Sequence, residues 1–282
     1  NILQPHRVFL PLIGYITKIH LQLINIFVTY CFLNILYKHI LKFQSRTITN
    51  VLLASLSTTM VVQFHYNFGG YPDILCYFFL LLAFINKERN VYPYIFFFIA
   101  LLTKETAIFT ALFFLTLKNF SKIKLVFTCV LYLPIYLYLN TGSYNLEHYL
   151  TPLQSDLMYW VNQSKPFIVT GYFSSIKYLW IVVILYIFRD FRNSYPVVLL
   201  IIGISLQFML GGDTTRFVSF MFLGLIFVVE KLKMDKFLFL NIFILFLNIV
   251  TAKYYVFAYG EMIILNESRL SFLNFFEIFN EN

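Results

Sequence analysis

Apolar stretches separated by short polar loops recur along the whole chain. They lie near residues 18–37, 48–63, 73–86, 92–117, 122–139, 166–188, 195–211, 216–229 and 237–257. Several are shorter than the ~20 residues that an upright helix needs to cross a bilayer. No Pro-, Gly- or Ser-rich linker divides them. The pattern therefore predicts one all-α domain over residues 1–282, a polytopic transmembrane helical bundle with about nine or ten membrane segments and a polar tail at 258–282.

The composition also indicates a membrane protein. Hydrophobic residues make up 60% of the chain and charged residues only 12%, and a soluble domain of this length could not bury so much apolar surface. We expect a multi-pass protein of a bacterial-type plasma membrane or the endoplasmic reticulum, with the mitochondrial inner membrane as the alternative.

Most basic residues lie in five loops between the apolar stretches. These loops contain 13 of the 21 Lys and Arg residues: Lys38, Lys42 and Arg46; Lys87 and Arg89; Lys118, Lys122 and Lys124; Arg189 and Arg192; and Lys231, Lys233 and Lys236. Because short loops rich in Lys and Arg remain in the cytoplasm, the pattern places all five on the cytoplasmic side.

The stretch 92–117 has basic loops at both of its ends, so a single crossing would put one of them on the wrong side. A short re-entrant-like hairpin, with arms near 92–102 and 105–117, removes the conflict. Its tip would contain Lys104 and Glu105, on the non-cytoplasmic side. The alternative is one tilted helix with a Lys104–Glu105 pair inside the membrane, which would itself indicate a functional site.

Other polar features fall on the same expected side as this tip. His65 and Asp73 flank a turn at 63–73 that contains Gly69, Gly70 and Pro72. Such a turn is polar in any protein, and Asp73 would also stabilise the N-terminus of the following helix. Transporters more often spread polar residues along helices through the midplane. Polar residues gathered on one face favour chemistry at the membrane surface.

Asp213 and Arg216 lie where another apolar helix begins, after Gly211 and Gly212. Asp213 would cap that helix in a purely structural interpretation, with Arg216 extended toward the interface or paired with Asp213. An arginine on the non-cytoplasmic side runs against the usual charge bias, however. Its planar guanidinium suits a phosphate, to which it can donate two hydrogen bonds.

Several kinds of site are missing from the sequence. It contains no P-loop, no dinucleotide-binding glycine pattern, no HExxH and no Gly-x-Ser-x-Gly. The five histidines are scattered, without metal-ligand spacing. The excess of basic residues lies in the predicted cytoplasmic loops, where it reflects topology and anionic lipid, so no nucleic-acid partner is expected.

Four segments carry a family resemblance: "PHRVFLPLIGYI", "GGYPDILCYFFLLLAF", "LLTKETAIF" and "GGDTTRFVSFMFLGLI". Together with the short helices and hairpin, they resemble the polytopic GT-C-fold glycosyltransferases that use lipid-linked sugars. The resemblance covers most of residues 5–230 through short, degenerate motifs. It implies transfer of a sugar from a polyprenyl-phosphate donor to a lipid, glycan or protein acceptor on the non-cytoplasmic side.

The resemblance also suggests roles for the candidate residues. Arg7, Lys104 and Arg216 are candidates for binding the donor phosphate. Asp73, Glu105 and Asp213 would orient the sugar, the acceptor or those cations, and His65 is a weaker candidate for proton transfer. Some related enzymes use a divalent metal, although this sequence shows no ligand set for one.

The chain departs from the family pattern at its start. These enzymes resemble one another in a carboxylate base in the first outer loop, whereas residues 1–17 contain no Asp or Glu. We expect the first helix and most of that loop to precede Asn1, or catalysis to have been lost. The alternative is a non-catalytic hydrophobic subunit of a large energy-transducing membrane complex from an AT-rich organellar genome, with other membrane subunits as partners. A transporter ranks third.

Overall fold

The computed structural model describes residues 9–17, 20–67, 71–140, 165–207, 214–251, 254–256 and 262–264. These residues are predominantly helical, which confirms the all-α prediction apart from one small two-stranded hairpin. The α-helices are α1 (Phe9–Thr17), α2 (Leu21–Ile40), α3 (Arg46–Ser57), α4 (Met60–Asn67), α5 (Asp73–Ile85), α6 (Tyr92–Thr103), α7 (Ala111–Thr116), α8 (Lys122–Asn140), α9 (Lys165–Ile176), α10 (Trp180–Arg189), α11 (Tyr195–Leu206), α12 (Thr214–Val218), α13 (Phe222–Lys231) and α14 (Leu238–Val250).

Short 3-10 helices and one strand pair complete the described secondary structure. The 3-10 helices are Glu105–Thr110, Lys177–Leu179, Phe191–Asn193, Ser219–Met221 and Met234–Phe237. Strands β1 (Tyr254–Val256) and β2 (Met262–Ile264) pair antiparallel. Strand β1 lies at the end of the last predicted apolar stretch, and β2 lies in the predicted polar tail.

In the part of the chain that the structure describes, two helical segments are long and apolar enough to cross a membrane, Leu21–Ile40 and Val169–Arg189. This finding suggests a membrane protein. The apolar helices α5, α6 and α11 are shorter, so a bundle of nine or ten spans stays a prediction.

The outward faces of several helices are apolar. In α14, Asn241, Ile244 and Asn248 are buried, while Phe239 and Phe246 on the outer face are 88% and 58% exposed. Similar exposed apolar positions run along α2 and α8. Polar side chains inside and phenylalanines outside form the pattern expected of helices surrounded by lipid.

Helices α5 and α13 are largely buried in the core of the bundle. All residues from Phe222 to Val229 of α13 are buried. Helix α5 starts at Asp73 and ends at Ile85, a distance of ~20 Å at 1.5 Å per residue. We call the end that contains Asp73 the charged-cluster end, and the end that contains Ile85 the basic end.

The five basic loops lie together at the basic end. One cavity there is lined by residues from every loop, among them Lys42, Lys87, Lys118, Asp190 and Lys231. Direct bonds also connect these loops to one another. Gln44 donates to the carbonyl oxygens of Val229 and Leu232, both at 2.6 Å. The structure therefore groups the loops as the charge pattern predicts.

The chain reverses at Lys104, as the hairpin interpretation predicts. Lys104 has extended backbone between α6 and the 3-10 helix Glu105–Thr110. The returning arm packs antiparallel on α6, with the Phe97 and Phe114 rings 5.3 Å apart. Near the basic end, the Tyr94 hydroxyl accepts a hydrogen bond from the Ser121 amide at 2.6 Å. The alternative of a single tilted helix is wrong.

Two of the predicted apolar stretches contain unexpected breaks, and one residue lies in a different element. The stretch 48–63 divides into α3 and α4, whereas 166–188 is interrupted at Lys177. Lys177 has a φ of 48° and donates to the carbonyl oxygens of Asn248 and Thr251 at the end of α14, at 2.9 and 2.8 Å. His65 lies in α4, which continues to Asn67, so the predicted turn 63–73 is helical at 63–67.

Candidate functional site

Asp73 is the centre of a buried group of three charged side chains at its end of the bundle. Pro72 precedes α5, and Asp73 is its first residue. This position directs a carboxylate toward neighbouring segments while the following apolar residues enter the core. Asp73 is fully buried and accepts hydrogen bonds from both Lys104 and Arg216. We call these three residues the charged cluster.

Lys104 reaches the cluster because the hairpin turns at this residue. Its ammonium donates to the Oδ1 atom of Asp73, and the residue is only 1% exposed. The rings of Phe217 and Phe220 lie 5.6 and 5.5 Å from its Nζ atom. Lys104 therefore lies at the predicted turn, but it is buried there and does not face the solvent.

Arg216 approaches Asp73 from the short helix α12. Its Nε atom donates to Oδ1 at 3.2 Å, and its Nη2 atom donates to Oδ2 at 2.7 Å, so the pair is bidentate. The guanidinium carbon lies 4.5 Å from the centre of the Tyr71 ring and 5.3 Å from that of Phe64. Charge-assisted bonds and contacts with aromatic faces both stabilise a cation that has little access to water.

Tyr77 connects this cluster to the core. It lies one helical turn after Asp73, so the two side chains share a face of α5. Its hydroxyl donates to the Arg216 carbonyl oxygen at 3.1 Å, and its ring packs 5.2 Å from that of Phe220. Tyr77 therefore positions the backbone that carries Arg216. The four-residue spacing from Asp73 was the sequence signal that could have identified it.

His65 lies beside the charged cluster without a hydrogen bond to it. The residue is 1% exposed, and its ring is 5.8 Å from the Tyr77 ring. Neither ring nitrogen has a hydrogen-bond partner among the described residues. Since unpartnered buried polar groups are costly, this imidazole is a candidate to contact a ligand.

Glu105, Arg7 and Asp213 complete the set of predicted site residues. Glu105 begins the 3-10 helix next to Lys104 and is partly exposed. Arg7 and Asp213 lie outside the described residues. The sequence suggested Asp213 as an ion-pair partner of Arg216. In the structure Arg216 pairs with Asp73, which lies 143 residues away in the sequence.

Comparison with protein-family models, with curated proteins and with solved structures finds no match to this chain. The resemblance to GT-C-fold glycosyltransferases therefore stays a prediction.

The arrangement brings two cations together at one carboxylate in apolar surroundings. Such preorganised donors can stabilise negative charge on a ligand more strongly than they would in water. A metal site is not evident, because the described residues include no group of three or more His, Cys, Asp or Glu side chains placed to hold an ion. Two cations and one carboxylate give the cluster a positive formal charge, which favours an anionic ligand over a cationic one.

Proposed function

We propose that this protein is a membrane glycosyltransferase that uses a polyprenyl-phosphate-linked sugar at the charged-cluster end. The observation that carries the proposal is the convergence of Asp73, Lys104 and Arg216 from three separate segments. In this reaction the acceptor hydroxyl attacks the sugar, and the polyprenyl phosphate leaves with the bonding electron pair. Charge then increases on the phosphate oxygen, where a nearby cation stabilises it.

Each member of the cluster has a separate role in this proposal. Arg216 binds the donor phosphate, and Lys104 adds a second positive charge. Asp73 orients both cations through the hydrogen bonds described above. The aromatic rings of Phe64 and Tyr71 keep water away from Arg216. His65 contacts the acceptor or transfers a proton, whereas Arg7, Glu105 and Asp213 assist in binding the donor and acceptor.

The proposal includes a multi-pass topology. The five basic loops would face the cytoplasm, and the charged cluster would lie near the opposite surface, about one short helix away. The grouping of these loops around one cavity supports this orientation, as do the apolar outer faces of α2, α8 and α14. A donor with a long isoprenoid chain would reach the cluster from the surrounding lipid.

A second candidate is supported by the burial of the cluster. Asp73 and Lys104 are 0% and 1% exposed, which fits a structural ion cluster in a non-catalytic subunit of a larger membrane complex. In that case the three charges join distant helices, and they contact no substrate. Binding and stability measurements on the same variants separate the two candidates.

The decisive experiment is incubation of the purified full-length protein with a panel of polyprenyl-phosphate sugars and mass spectrometry of the lipid products. Transfer from at least one donor is the expected result. Folded protein that transfers no sugar from any donor, and copurifies with other membrane subunits, would support the structural candidate.

Variants of Arg216 then test the phosphate role. Arg216→Lys keeps the charge but loses the bidentate geometry, and Arg216→Ala loses both. A charge-assisted hydrogen bond contributes about 1.5–3 kcal/mol, so we expect a graded loss of donor affinity, roughly ten- to a hundredfold and larger for Ala. Unchanged donor binding in both variants, with parallel losses of thermal stability in Arg216→Ala and Asp73→Asn, would leave only the structural role.

A further inference from the structure

The basic end contains a cavity that the proposed reaction does not use. Its volume is about 640 Å³. Residues from all five basic loops line it, and four of the lining side chains are lysines: Lys42, Lys87, Lys118 and Lys231. The whole length of α5 separates the cavity from the charged cluster.

One of these lysines is already neutralised inside the protein. Lys87 donates to the Oε2 atom of Glu230 at 2.5 Å, and His39 contacts the other oxygen at 2.8 Å. Glu230 is buried, with 7% of its side chain exposed. Glu230, Lys87 and His39 form part of the cavity wall. Because the Lys87 ammonium compensates the Glu230 carboxylate, this carboxylate repels an anion only weakly.

The other two acidic side chains of the lining are engaged with amides. Glu88 accepts from Asn119 at 3.2 Å, and Asp190 accepts from Asn193 at 2.9 Å. By contrast, Lys42, Lys118 and Lys231 are exposed. None of the three has a carboxylate within 4 Å among the described residues. Three positive charges from three different loops therefore outnumber the two lining carboxylates, Glu88 and Asp190, whose partners here are neutral amides.

Apolar surface accompanies this positive charge. Phe43 and Tyr195 also line the cavity, and they are 44% and 43% exposed. Beyond the cavity, Phe188 and Phe191 are 82% and 75% exposed at the same end of the bundle. A ligand with an anionic head and an apolar tail fits this combination better than a free anion does.

We propose that this cavity binds the phosphate headgroup of an anionic membrane lipid. The phosphate lies among Lys42, Lys118 and Lys231, and the acyl chains follow the apolar outer surface beside Phe43 and Tyr195. Loops rich in Lys and Arg face the leaflet that contains most anionic lipid, and basic pockets between membrane helices hold such headgroups. This inference rests on the membrane topology of the proposed function but not on its reaction, because it concerns the opposite end of the molecule.

The test measures binding of fluorescent phosphatidylglycerol to the full-length protein in neutral detergent micelles, with fluorescent phosphatidylcholine as the uncharged control. We compare wild type with the cavity variant Lys42→Gln/Lys118→Gln/Lys231→Gln. The matched control is Lys38→Gln/Lys233→Gln/Lys236→Gln, which removes three charges from the same end but none from the cavity lining.

The wild type should bind phosphatidylglycerol more tightly than phosphatidylcholine. The cavity variant should lose at least roughly tenfold in affinity, and the control variant less than about twofold, since charges outside the site are screened. Millimolar inorganic phosphate should leave the lipid bound. The single variants Lys118→Gln and Lys231→Gln should each show part of the loss, which keeps the test valid if the triple variant is unstable.

Three results would overturn the proposal. Equal losses in the two triple variants would indicate general surface electrostatics with no specific site. Equal binding of the two lipids would remove the role of the headgroup charge. Displacement of the lipid by inorganic phosphate would assign the cavity to a soluble phosphate ligand instead.

Discussion

At the scale of single residues, Asp73 connects three segments that are far apart in the sequence. Its carboxylate joins the start of α5 to the hairpin turn and to α12 through Lys104 and Arg216. All three charges are nearly removed from water. Removing the Asp73 carboxylate leaves two cations without this compensating charge in apolar surroundings, whereas removing either cation leaves a neutral pair.

We expect Asp73→Asn to destabilise the protein by about 3–5 kcal/mol, because the amide keeps the shape of the side chain but not its charge. The matched control is Asp190→Asn, on a loop at the basic end, where we expect a change within about 0.5 kcal/mol. Chemical unfolding of the purified proteins in detergent measures both changes. Equal stability of Asp73→Asn and wild type would show that Lys104 and Arg216 do not need the Asp73 carboxylate in order to stay buried in the folded protein.

Glu230 should make stability depend on pH. It lies just after the apolar stretch 216–229, where burial raises the pKa of its carboxyl, but the hydrogen bond from His39 and the Lys87 ammonium outweigh burial and lower that pKa below 4.5. A carboxyl with a lowered folded-state pKa contributes stability above its unfolded-state pKa. That contribution is lost as the pH falls through the folded-state value.

Wild type should therefore lose melting temperature more steeply than Glu230→Gln as the pH falls below about 4.5. Thermal unfolding of both proteins across this range measures the difference between the two curves. The difference should be largest at neutral pH and should shrink in acid. Curves that stay parallel down to the lowest pH would contradict a stabilising role for the ionised Glu230 carboxylate.

At the scale of elements, the hairpin arms depend on close packing against α11. Gly203 of α11 lies against the backbone of the 3-10 helix Glu105–Thr110. A Cβ atom added to Gly203 would meet the Phe109 carbonyl oxygen more closely than real Cβ atoms approach any neighbour. This contact fixes the distance between α11 and the segment that carries Lys104.

Gly203→Ala should destabilise the protein by about 1–3 kcal/mol, because the backbone of Phe109 has to move away. If the charged cluster binds a donor, donor affinity should fall as well, since the displaced segment carries Lys104. Ser205→Ala on the same helix is the control. Among the described residues, its hydroxyl bonds to the Ile201 carbonyl and the Tyr172 hydroxyl. A stable Gly203→Ala protein with normal binding would show that the hairpin tolerates displacement.

Much of the element pattern could be predicted from the sequence, and the exceptions have physical reasons. The hairpin at 92–117 followed from charge, because basic loops at both ends required a reversal. The break at Lys177 had no such signal, since its cause is a contact with the distant end of α14. The site was partly predictable: Asp73, Lys104 and Arg216 were each identified, but their pairing depends on tertiary contacts between distant segments.

At the scale of the whole molecule, the two ends differ in charge and accessibility. The basic end contains an open cavity and exposed lysines, whereas the charged cluster is buried at the opposite end. If the bundle crosses a membrane, these ends face different compartments. The orientation can be measured directly.

In a background with Cys31, Cys76 and Cys129 replaced by alanine, single cysteines at Asn90 and Asn119 should react with a membrane-impermeant reagent from the cytoplasmic side only. A cysteine at the partly exposed Glu105 should react from the opposite side, because the chain reverses at Lys104. Labelling of positions 105 and 119 from the same side would contradict the proposed topology.

The separation of Asp73, Lys104 and Arg216 along the sequence has a consequence for biosynthesis. Asp73 and Lys104 emerge from the ribosome before Arg216, which follows roughly 6 to 22 s later at 5–20 residues per second. If the bundle crosses a membrane, α5 and the hairpin at 92–117 can enter the lipid during that interval with Asp73 and Lys104 as a neutral pair, which is less costly than an isolated charge. Arg216 then arrives at a carboxylate that is already in place, so that the last charge to be synthesised completes the attachment of α12.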